Sequence, residues 1–296
     1  MGLDINAVQF LIDARLRGAD FGKVLTLGRQ DLNVFPSKMV QLLQTHGFPT
    51  ERFRPDDKIL YAEPCFLSLG AKKVDSLDAS GFEGATVIHD LNQPVTGELK
   101  EQFDVVYDGG TLEHVFNFPM ALKNCMEMVR VGGRLFLHTV ANNYCGHGFY
   151  QFSPELFFRA LGPENGFEVN RMILHAVGPY GRWYEAADPN TIRARVELVT
   201  FAPMQLLVHA KRTRLVPIFA NTPQQSDYTP RWQPSPTDAA GHESAPRTVA
   251  YGPPRPRLAR VLPNAARLWH VLKIGWRMSR THTLRNRTSF RRVSKP

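Results

Sequence analysis

The segment that most constrains the fold is 103–139, because it reads without a gap as strand, acidic loop, helix, glycine turn and strand. Residues 103–107 form a short apolar, β-rich run that stops at an Asp-Gly-Gly turn, as a buried parallel strand does. A helical pattern follows from Thr111, and the Gly pair at 132–133 separates it from a further apolar run, 134–138. Two parallel strands joined by a crossover helix form a βαβ unit, and open sheets of such units bind ligands at the carboxyl ends of their strands.

Further strands are predicted on both sides of this unit. They are residues 23–28, 70–80, 85–94, 167–176 and 205–210. A helix is predicted from Pro36 or Ser37 to about Gly47, because Pro is tolerated in a first helical turn and Gly favours a helix end. The long spacing from Gly28 to Asp78 predicts an additional element beyond one crossover helix.

These segments together resemble one known family, the class I S-adenosylmethionine-dependent methyltransferases. The phrase "FDVV…LEHV…GG.L" in 103–139 is common in that family, and GAKKVDSLDAS at 70–80 resembles its second strand, with an acid at the tip. The last two predicted strands match the antiparallel pair that closes the family's sheet. The resemblance covers residues 20–212. It implies an α/β, Rossmann-like fold with a seven-stranded, mostly parallel sheet and an antiparallel last strand.

The resemblance also implies S-adenosyl-L-methionine as cofactor and assigns contacts at three strand ends. Gly28 would let the backbone approach the ligand closely, since a Cβ there would collide with it. Asp78 would accept hydrogen bonds from both ribose hydroxyls, and Asp90 with the backbone of Leu91 would lie at the adenine edge. The alternative is that Asp78 and Asp90 merely cap helices that follow their strands.

The first loop departs from the family pattern. Only Gly28 survives of a Gly-x-Gly-x-Gly-like turn, Thr26 replaces the usual acid, and Arg29 and Gln30 add bulk where the backbone would approach the ligand. One interpretation is a variant pocket in which Arg29 pairs with the cofactor carboxylate, since guanidinium binds carboxylates bidentately. The other interpretation is that the pocket is closed and the cofactor no longer binds.

Asp108 and Glu113 lie at or just past the fourth strand end and would face the methyl group of the cofactor. Both are candidate cofactor contacts, and Asp108 is also a candidate catalytic residue. His147 is the leading candidate for a base, because histidine titrates near neutral pH and methyl transfer to a hydroxyl requires removal of a proton.

His147 belongs to a segment dense in Gly, aromatic and polar residues, 141–153, which follows the fifth strand. In the family this region carries acceptor sites, so Asn143, Tyr150 and Gln151 are candidate substrate contacts. The alternative is a loop ordered by its own hydrogen bonds, with His147 structural.

The remaining histidines give no sign of a metal site. His89, His138, His175 and His209 fall within predicted strands and are interpreted as core or edge residues, and His114 as a packing residue. The sequence spacing of His, Cys, Asp and Glu matches no metal-ligand pattern, so no metal is predicted.

Composition separates the chain into two parts of opposite charge. Of 36 Lys and Arg residues, 12 lie in 251–296, where there is no Asp or Glu, so 1–250 carries 24 basic against 27 acidic residues, a net charge of −3. Three widely spaced cysteines and the lack of an apolar signal segment or membrane-spanning run predict a cytoplasmic protein in a reducing compartment.

The domain prediction is a methyltransferase-like domain at 1–222, a Pro-rich linker at 223–257, and a basic helix and tail at 258–296. The linker is rich in Pro, Gln, Ser and Gly and cannot bury enough apolar surface to order itself. The segment 265–279 has the pattern of a helix with basic residues beside Trp and Leu. Such a helix suits either an anionic membrane surface or docking on the same domain or a partner.

The sequence is therefore consistent with three functions. The first is a methyltransferase acting on a small-molecule or glycan-type, sugar-derived acceptor, with peripheral contact to the inner membrane surface through 258–296. The second is a methyltransferase-like domain that has lost catalysis and serves as a binding or scaffold protein. The third is a nucleic-acid-binding arm made by the basic tail, for which base stacking has little support because few aromatic residues interleave the charges. The sequence does not indicate the oligomeric state.

Overall fold

A computed structural model describes residues 2–53, 61–179, 181–228, 272, 275–276 and 282–296. In these ranges the strands form one nine-stranded sheet of order β3-β2-β1-β4-β5-β8-β6-β7-β9. The strands are β1 Lys23–Leu27, β2 Lys73–Asp78, β3 Val87–Ile88, β4 Phe103–Asp108, β5 Val129–Asn142, β6 Phe167–Ala176, β7 Trp183–Ala186, β8 Met204–Arg212 and β9 Phe290–Val293. The α-helices are α1 Ile5–Leu16, α2 Pro36–Thr45, α3 Glu63–Ser68, α4 Phe118–Met128, α5 Pro154–Ala160 and α6 Pro189–Ile192.

The strand order confirms the predicted fold class. Strands β3, β2, β1, β4 and β5 are parallel neighbours, and β8 is inserted antiparallel between β5 and β6. The chain moves outward from β1 through β2 to β3 and then returns to the other side of β1 with β4. The order therefore reverses between β1 and β4, which is the switch point at which doubly wound sheets bind ligands.

Two strands extend the sheet beyond the seven that were predicted. Strand β7 pairs antiparallel with β6, and β9 pairs antiparallel with β7, with Phe290 opposite Ala186. The Phe290 side chain is buried in the core, so the last residues of the chain contribute to the main sheet. Strand β9 is not among the predicted elements. The predicted helix at 265–279 and the predicted linker at 223–257 lie almost wholly outside the described residues.

The helices between the strands agree with most of the predictions. Helix α2 begins at Pro36 as expected, and α3 is the additional element between Gly28 and Asp78. Helix α4 corrects the prediction of a helix from Thr111, since it begins at Phe118 and is preceded by a 3-10 turn at Leu112–His114. A carboxylate oxygen of Asp108 accepts the Thr111 amide hydrogen at 2.8 Å, which holds this segment in a turn instead of a regular helix.

Two apolar layers cover the faces of the sheet. Val105 and Tyr107 of β4 face a layer that includes α1, α2 and α3, whereas Val106 faces a layer that includes α4 and α5. This alternation is the period of two that a strand buried on both faces requires. Three of the four strand histidines, His138, His175 and His209, are buried as predicted, and His89 lies just after β3. Among the described residues, no helix is long and apolar enough to cross a membrane.

Candidate functional site

The ends of β1, β2 and β4 converge on Gly28. Its backbone has φ +69°, a conformation that favours glycine, and its amide donates a hydrogen bond to the Leu77 carbonyl at 2.7 Å. A Cβ placed on Gly28 would lie 3.6 Å from Thr111 Oγ1 and 3.7 Å from Asp78 Oδ2. The structure thus brings the predicted glycine and the predicted ribose-binding acid to one point at the switch in strand order.

Gln30 fills part of the space between the ends of β1 and β4. Its buried side chain donates a hydrogen bond from Nε2 to the Leu27 carbonyl and packs so closely on Gly109 that a Cβ there would meet Oε1 at 2.0 Å. Gln30 Oε1 is buried and has no hydrogen-bond partner among the described residues. The bulky side chain expected from the sequence at this position therefore lies in the space between the ends of β1 and β4, which we call the crevice. Gly109 leaves room for it because it has no side chain.

Both acids predicted to bind the cofactor make local turns in the structure. Asp78 Oδ1 accepts the Ser80 amide hydrogen at 3.1 Å, and Asp90 Oδ1 accepts hydrogen bonds from the amide and the side chain of Asn92 at 2.9 and 2.8 Å. These bonds from Asn92 hold the pKa of the exposed Asp90 below its usual value. No helix begins directly after either acid, so these contacts are turns and not the predicted helix caps, and each acid uses one carboxylate oxygen in its turn.

Asp108 is fully buried at the end of β4. Burial, and next the nearby carboxylate of Glu113, raise the pKa of Asp108 to about 8. Its Oδ1 accepts the Thr111 amide hydrogen, while Oδ2 has no hydrogen-bond partner among the described residues. A carboxyl group that exchanges its proton near neutral pH and has an unpaired oxygen is suited to acid–base chemistry or to a polar ligand.

Glu113 and His147 approach one another across the ends of β4 and β5. Glu113 is fully buried, Oε2 accepts a hydrogen bond from Thr139 Oγ1 at 3.0 Å, and Oε1 lies 3.6 Å from His147 Nε2. The adjacent His114 is exposed, and its ring centroid lies 4.9 Å from that of His147. One ligand atom from each of Glu113, His114 and His147 lies within 4.8 Å of the others, a grouping that no sequence spacing predicted.

The loop after β5 is held by one hydrogen bond within it and by hydrogen bonds to two neighbouring segments. Asn143 Nδ2 donates to the Thr200 carbonyl at 2.7 Å, Tyr150 Oη donates to the Phe116 carbonyl at 2.6 Å, and Gln151 Oε1 accepts from the Tyr144 amide at 2.7 Å. Only the Tyr144–Gln151 bond is internal to the loop, so the alternative of a loop ordered by its own hydrogen bonds stays a prediction. The substrate contacts assigned to Asn143, Tyr150 and Gln151 stay predictions.

Arg29 does not point freely into the crevice. Its Nε lies 2.7 Å from Glu63 Oε1, its guanidinium stacks on Tyr61 at 3.8 Å from the ring centroid, and Nη1 donates to the Glu83 carbonyl at 3.2 Å. The guanidinium already has a carboxylate partner. Pairing with a cofactor carboxylate would require exchange of Glu63, and this role of Arg29 stays a prediction.

Asn124 is a structurally important residue that sequence reasoning missed. It is fully buried on α4, where Nδ2 donates to the carbonyls of Leu91 and Gln93 at 3.0 and 2.7 Å, and Oδ1 accepts from the Val95 amide at 3.1 Å. These bonds fix the loop after β3, in which the predicted adenine contact Leu91 lies. An Asn within an apolar helical pattern was the only signal that could have indicated it.

A cavity of about 580 Å³ lies away from the strand ends. It is bordered by α6 and by side chains that include Glu155, Arg193 and Asp227. None of the predicted site residues lines it. The candidate site therefore rests on the chemistry of the strand ends and not on cavity size.

Comparison with known proteins gives structural likeness without close sequence relatives. No family model matches the sequence, and no curated protein matches it. A putative methyltransferase from Bacillus halodurans is 12% identical over 69% of this chain and 99% of its own, with a TM-score of 0.38. A 1,6-didemethyltoxoflavin-N1-methyltransferase from Burkholderia thailandensis, solved with 1,6-didemethyltoxoflavin and S-adenosylhomocysteine, is 15% identical over 71% of this chain and 80% of its own, with a TM-score of 0.38.

A further similar structure is that of a synthase. The branched-chain polyamine synthase of Thermus thermophilus, in complex with N4-aminopropylspermidine and 5′-methylthioadenosine, is 12% identical over 74% of this chain and 59% of its own, with a TM-score of 0.35. At these identities and TM-scores the likenesses do not assign the chain to a family. The sheet and its strand ends define the class as a doubly wound α/β protein with polar residues gathered at the switch point.

Proposed function

We propose that the protein is an S-adenosyl-L-methionine-dependent methyltransferase that acts on a small-molecule or sugar-derived acceptor. The observation that carries the proposal is the convergence of Gly28, Asp78 and Thr111 where the strand order reverses between β1 and β4. Sheets of this kind bind nucleotide ligands at that place. The sequence phrases at 70–80 and 103–139 support the same conclusion.

The unpaired buried oxygens at this edge fit such a ligand. Gln30 Oε1 and Asp108 Oδ2 are both buried without hydrogen-bond partners among the described residues. A buried polar atom without a partner costs about 1–3 kcal/mol, so a ligand that supplies partners gains affinity there. The ammonium of the cofactor's methionyl group, which donates hydrogen bonds, is a group of this kind. This fit favours a variant pocket over a closed one.

Each site residue then has a distinct role. Asp78 accepts the ribose hydroxyls through the oxygen that Ser80 does not use, and the loop held by Asn124 places Asp90 and Leu91 at the adenine edge. The cofactor would supply a methyl group activated on a sulfonium. His147 removes the proton of a hydroxyl acceptor, and Oε1 of the buried Glu113 lies 3.6 Å from its Nε2.

The proposal extends to location and partners. A cytoplasmic site of action with peripheral membrane contact through 258–296 is consistent with a net charge of −3 in 1–250 and twelve basic residues in 251–296. A polybasic segment is attracted to anionic lipid. A small-molecule or glycan-type acceptor is proposed in preference to nucleic acid because the body itself is mildly acidic.

The rival function is a methyltransferase-like scaffold that no longer binds the cofactor. The observation that favours it is the Gln30 side chain within the crevice. The two functions differ in what replacement of Gln30 does. If Gln30 closes the pocket, Gln30→Ala binds S-adenosylhomocysteine and the wild type does not.

Isothermal titration with S-adenosylmethionine and S-adenosylhomocysteine tests the proposal. Micromolar binding is expected for the wild type and for the control Asp20→Ala, whose side chain is 71% exposed. Binding by Asp78→Ala is expected to be at least about 10-fold weaker, because charge-assisted hydrogen bonds worth about 1.5–3 kcal/mol are lost. Absence of binding to folded wild-type protein, or equal binding by Asp78→Ala, would overturn the proposal.

A further inference from the structure

The carboxyl ends of β4 and β5 bring together three side chains that can ligate a metal ion. Glu113 and His114 lie in the 3-10 turn that follows β4, and His147 lies in the loop that follows β5. Because β4 and β5 are parallel neighbours, both segments leave the sheet at the same edge. The fold, and not the sequence spacing, therefore produces the cluster.

The distance between Glu113 and His147 is that of two ligands of one ion. Glu113 Oε1 and His147 Nε2 are 3.6 Å apart, which is longer than an N–H···O hydrogen bond. Two ligands at about 2.1 Å from a tetrahedral metal ion are separated by about 3.4 Å. All three ligand atoms lie within 4.8 Å of one another, and the exposed His114 can close the remaining gap by rotation of its side chain.

The unpaired state of the two atoms is an independent indication of a ligand. Neither Glu113 Oε1 nor His147 Nε2 has a hydrogen-bond partner among the described residues, and Glu113 is fully buried. A buried carboxylate without compensating partners is strongly unfavourable. A cation between these atoms would satisfy both at once.

The surrounding contacts orient the cluster. Thr139 Oγ1 donates to Glu113 Oε2, which turns the other carboxylate oxygen toward His147. Ligating carboxylates are commonly held in this way by a hydrogen bond to the second oxygen. The Phe149 amide donates to the Glu113 carbonyl at 2.7 Å, and Gly148, with φ +74°, permits an approach in which a Cβ would lie 2.7 Å from that carbonyl oxygen. The loop that carries His147 is thus hydrogen-bonded to the backbone of Glu113.

We propose that Glu113, His114 and His147 bind one divalent transition-metal ion through a carboxylate oxygen and two imidazole nitrogens. Two nitrogen ligands favour Zn²⁺, Co²⁺, Fe²⁺ or Mn²⁺ over Mg²⁺ and Ca²⁺, which take oxygen ligands. Three protein ligands leave at least one coordination position for water or an oxygen of an acceptor. The inference goes beyond the proposed function and does not depend on it, because the ion is bound by the protein alone.

The metal site and the role of His147 as a base exclude one another at Nε2. A nitrogen lone pair that ligates a metal cannot accept a proton at the same time. With the ion bound, the metal itself would lower the pKa of a coordinated hydroxyl, as bound Zn²⁺ does for water. The metal proposal therefore also predicts which group activates the acceptor.

Titration with Co²⁺ and with Zn²⁺ tests the proposal in the absence of cofactor. The background variant is Cys145→Ser, because Cys145 is an exposed free thiol in the same loop and would bind these ions by itself. We expect one ion per chain with micromolar affinity, visible d–d absorption of Co²⁺ displaced by Zn²⁺, and no heat from Mg²⁺ at the same concentration. Binding should weaken as the pH falls, since protons compete with the metal ion for the imidazole nitrogens.

Variants identify the ligands. His147→Ala and Glu113→Gln are expected to weaken binding at least about 100-fold, and Thr139→Val about 10-fold through loss of orientation. The matched control is His282→Ala, because His282 Nε2 lies 2.8 Å from Glu197 Oε2 in an ordinary hydrogen-bonded pair. It should bind like the background. Circular dichroism and urea unfolding confirm that each variant is folded.

Two results would overturn the proposal. The first is absence of Co²⁺ and Zn²⁺ binding by the folded background protein, which would leave Glu113 and His147 as a plain ion pair. The second is binding that His147→Ala and Glu113→Gln do not weaken, which would place the ion elsewhere. Loss of binding in His282→Ala alone would have the same meaning.

Discussion

Two polar regions of the molecule differ in whether their polar side chains find partners within the fold. The α1–β6 ion cluster, made of Asp13, Arg17, Arg171, Glu185 and Arg291, joins α1 to the β6, β7 and β9 edge of the sheet. The strand-tip cluster, made of Gln30, Asp108, Glu113 and His147, lies at the ends of β1, β4 and β5. In the first region each acid has a cationic partner, whereas the second holds four buried polar atoms without hydrogen-bond partners among the described residues.

We interpret the paired charges of the ion cluster as a contribution to stability and the unpaired atoms of the strand-tip cluster as part of a binding site. Arg171 lies 2.6 Å from Asp13 and 3.5 Å from Glu185, and its side chain is 9% exposed, so its charge is compensated within the fold. Unpaired polar atoms in the strand-tip cluster reduce stability, and under the proposed function a bound ligand would supply their partners. We therefore expect substitutions in the ion cluster to change the free energy of unfolding and substitutions in the strand-tip cluster to change binding.

The largest effect on stability is expected beside the ion cluster, at Phe290 of β9. Its side chain is 2% exposed, so Phe290→Ala leaves a cavity and should lower the free energy of unfolding by about 4 kcal/mol. The control is Phe149→Ala in the loop after β5. The Phe149 side chain is 66% exposed, so the free energy of unfolding should change by less than about 0.5 kcal/mol. Urea unfolding measures both. Equal effects would show that β9 does not belong to the core.

Arg171→Ala should have the next largest effect. It leaves Asp13 and Glu185 without their buried partner, which costs about 3 kcal/mol. Arg17 contacts the same Asp13 oxygen at 2.9 Å but is 63% exposed, so Arg17→Ala should cost less than about 0.5 kcal/mol. If the two variants unfold at the same urea concentration, burial does not govern the strength of this cluster.

The same side of the sheet should make the protein sensitive to acid. Burial, and next the positive charge of Arg134, lower the pKa of His209 to about 3. Because the unfolded chain takes up this proton near pH 6.5, the stability is intact above that pH and is lost as the pH falls toward 3. His209→Phe keeps a ring stacked on Phe136 and should recover about 2 kcal/mol at pH 5 relative to its effect at pH 8. A pH-independent difference between the variant and the wild type would refute this assignment.

A smaller effect on stability than that of Arg171→Ala is expected in the strand-tip cluster. Glu113→Gln keeps an acceptor for Thr139 and removes an uncompensated buried carboxylate, so the free energy of unfolding should change by less than about 1 kcal/mol. The comparison to make is with Arg171→Ala in the same urea titration. A loss as large as that of Arg171→Ala would show that Glu113 holds the fold together.

The sequence predicted the central strands because each is a local apolar run bounded by Gly or Asp. It did not predict β9, because two of its four residues, Phe-Arg-Arg-Val, are charged. This segment is a strand because it pairs with β7. The strand-end acids were predictable from their positions after the runs. The approach of His147 to Glu113 was not, because it depends on how two loops separated by a whole strand meet in space.

Gln30 shows the same limit within a single loop. The sequence indicated a bulky side chain at this position, but whether it pointed inward depended on the space above Gly109, which directly follows another strand, β4. Arg29, its neighbour, instead contacts Glu63 at the start of α3 and Tyr61 just before that helix. Local patterns thus predict where polar residues leave the sheet and not which partner each one finds.

The most direct test of the central claim is the amide spectrum of the ¹⁵N-labelled protein, recorded by NMR with and without saturating S-adenosylhomocysteine. The account predicts shifts at Gly28, Asp78, Leu91 and Thr111, at the ends of the parallel strands. It predicts no shift at Arg171, Glu185 or Phe290, where charges are paired and the core is packed. Shifts confined to the second set, or no shift anywhere at saturation, would contradict the assignment of the strand ends as the cofactor site.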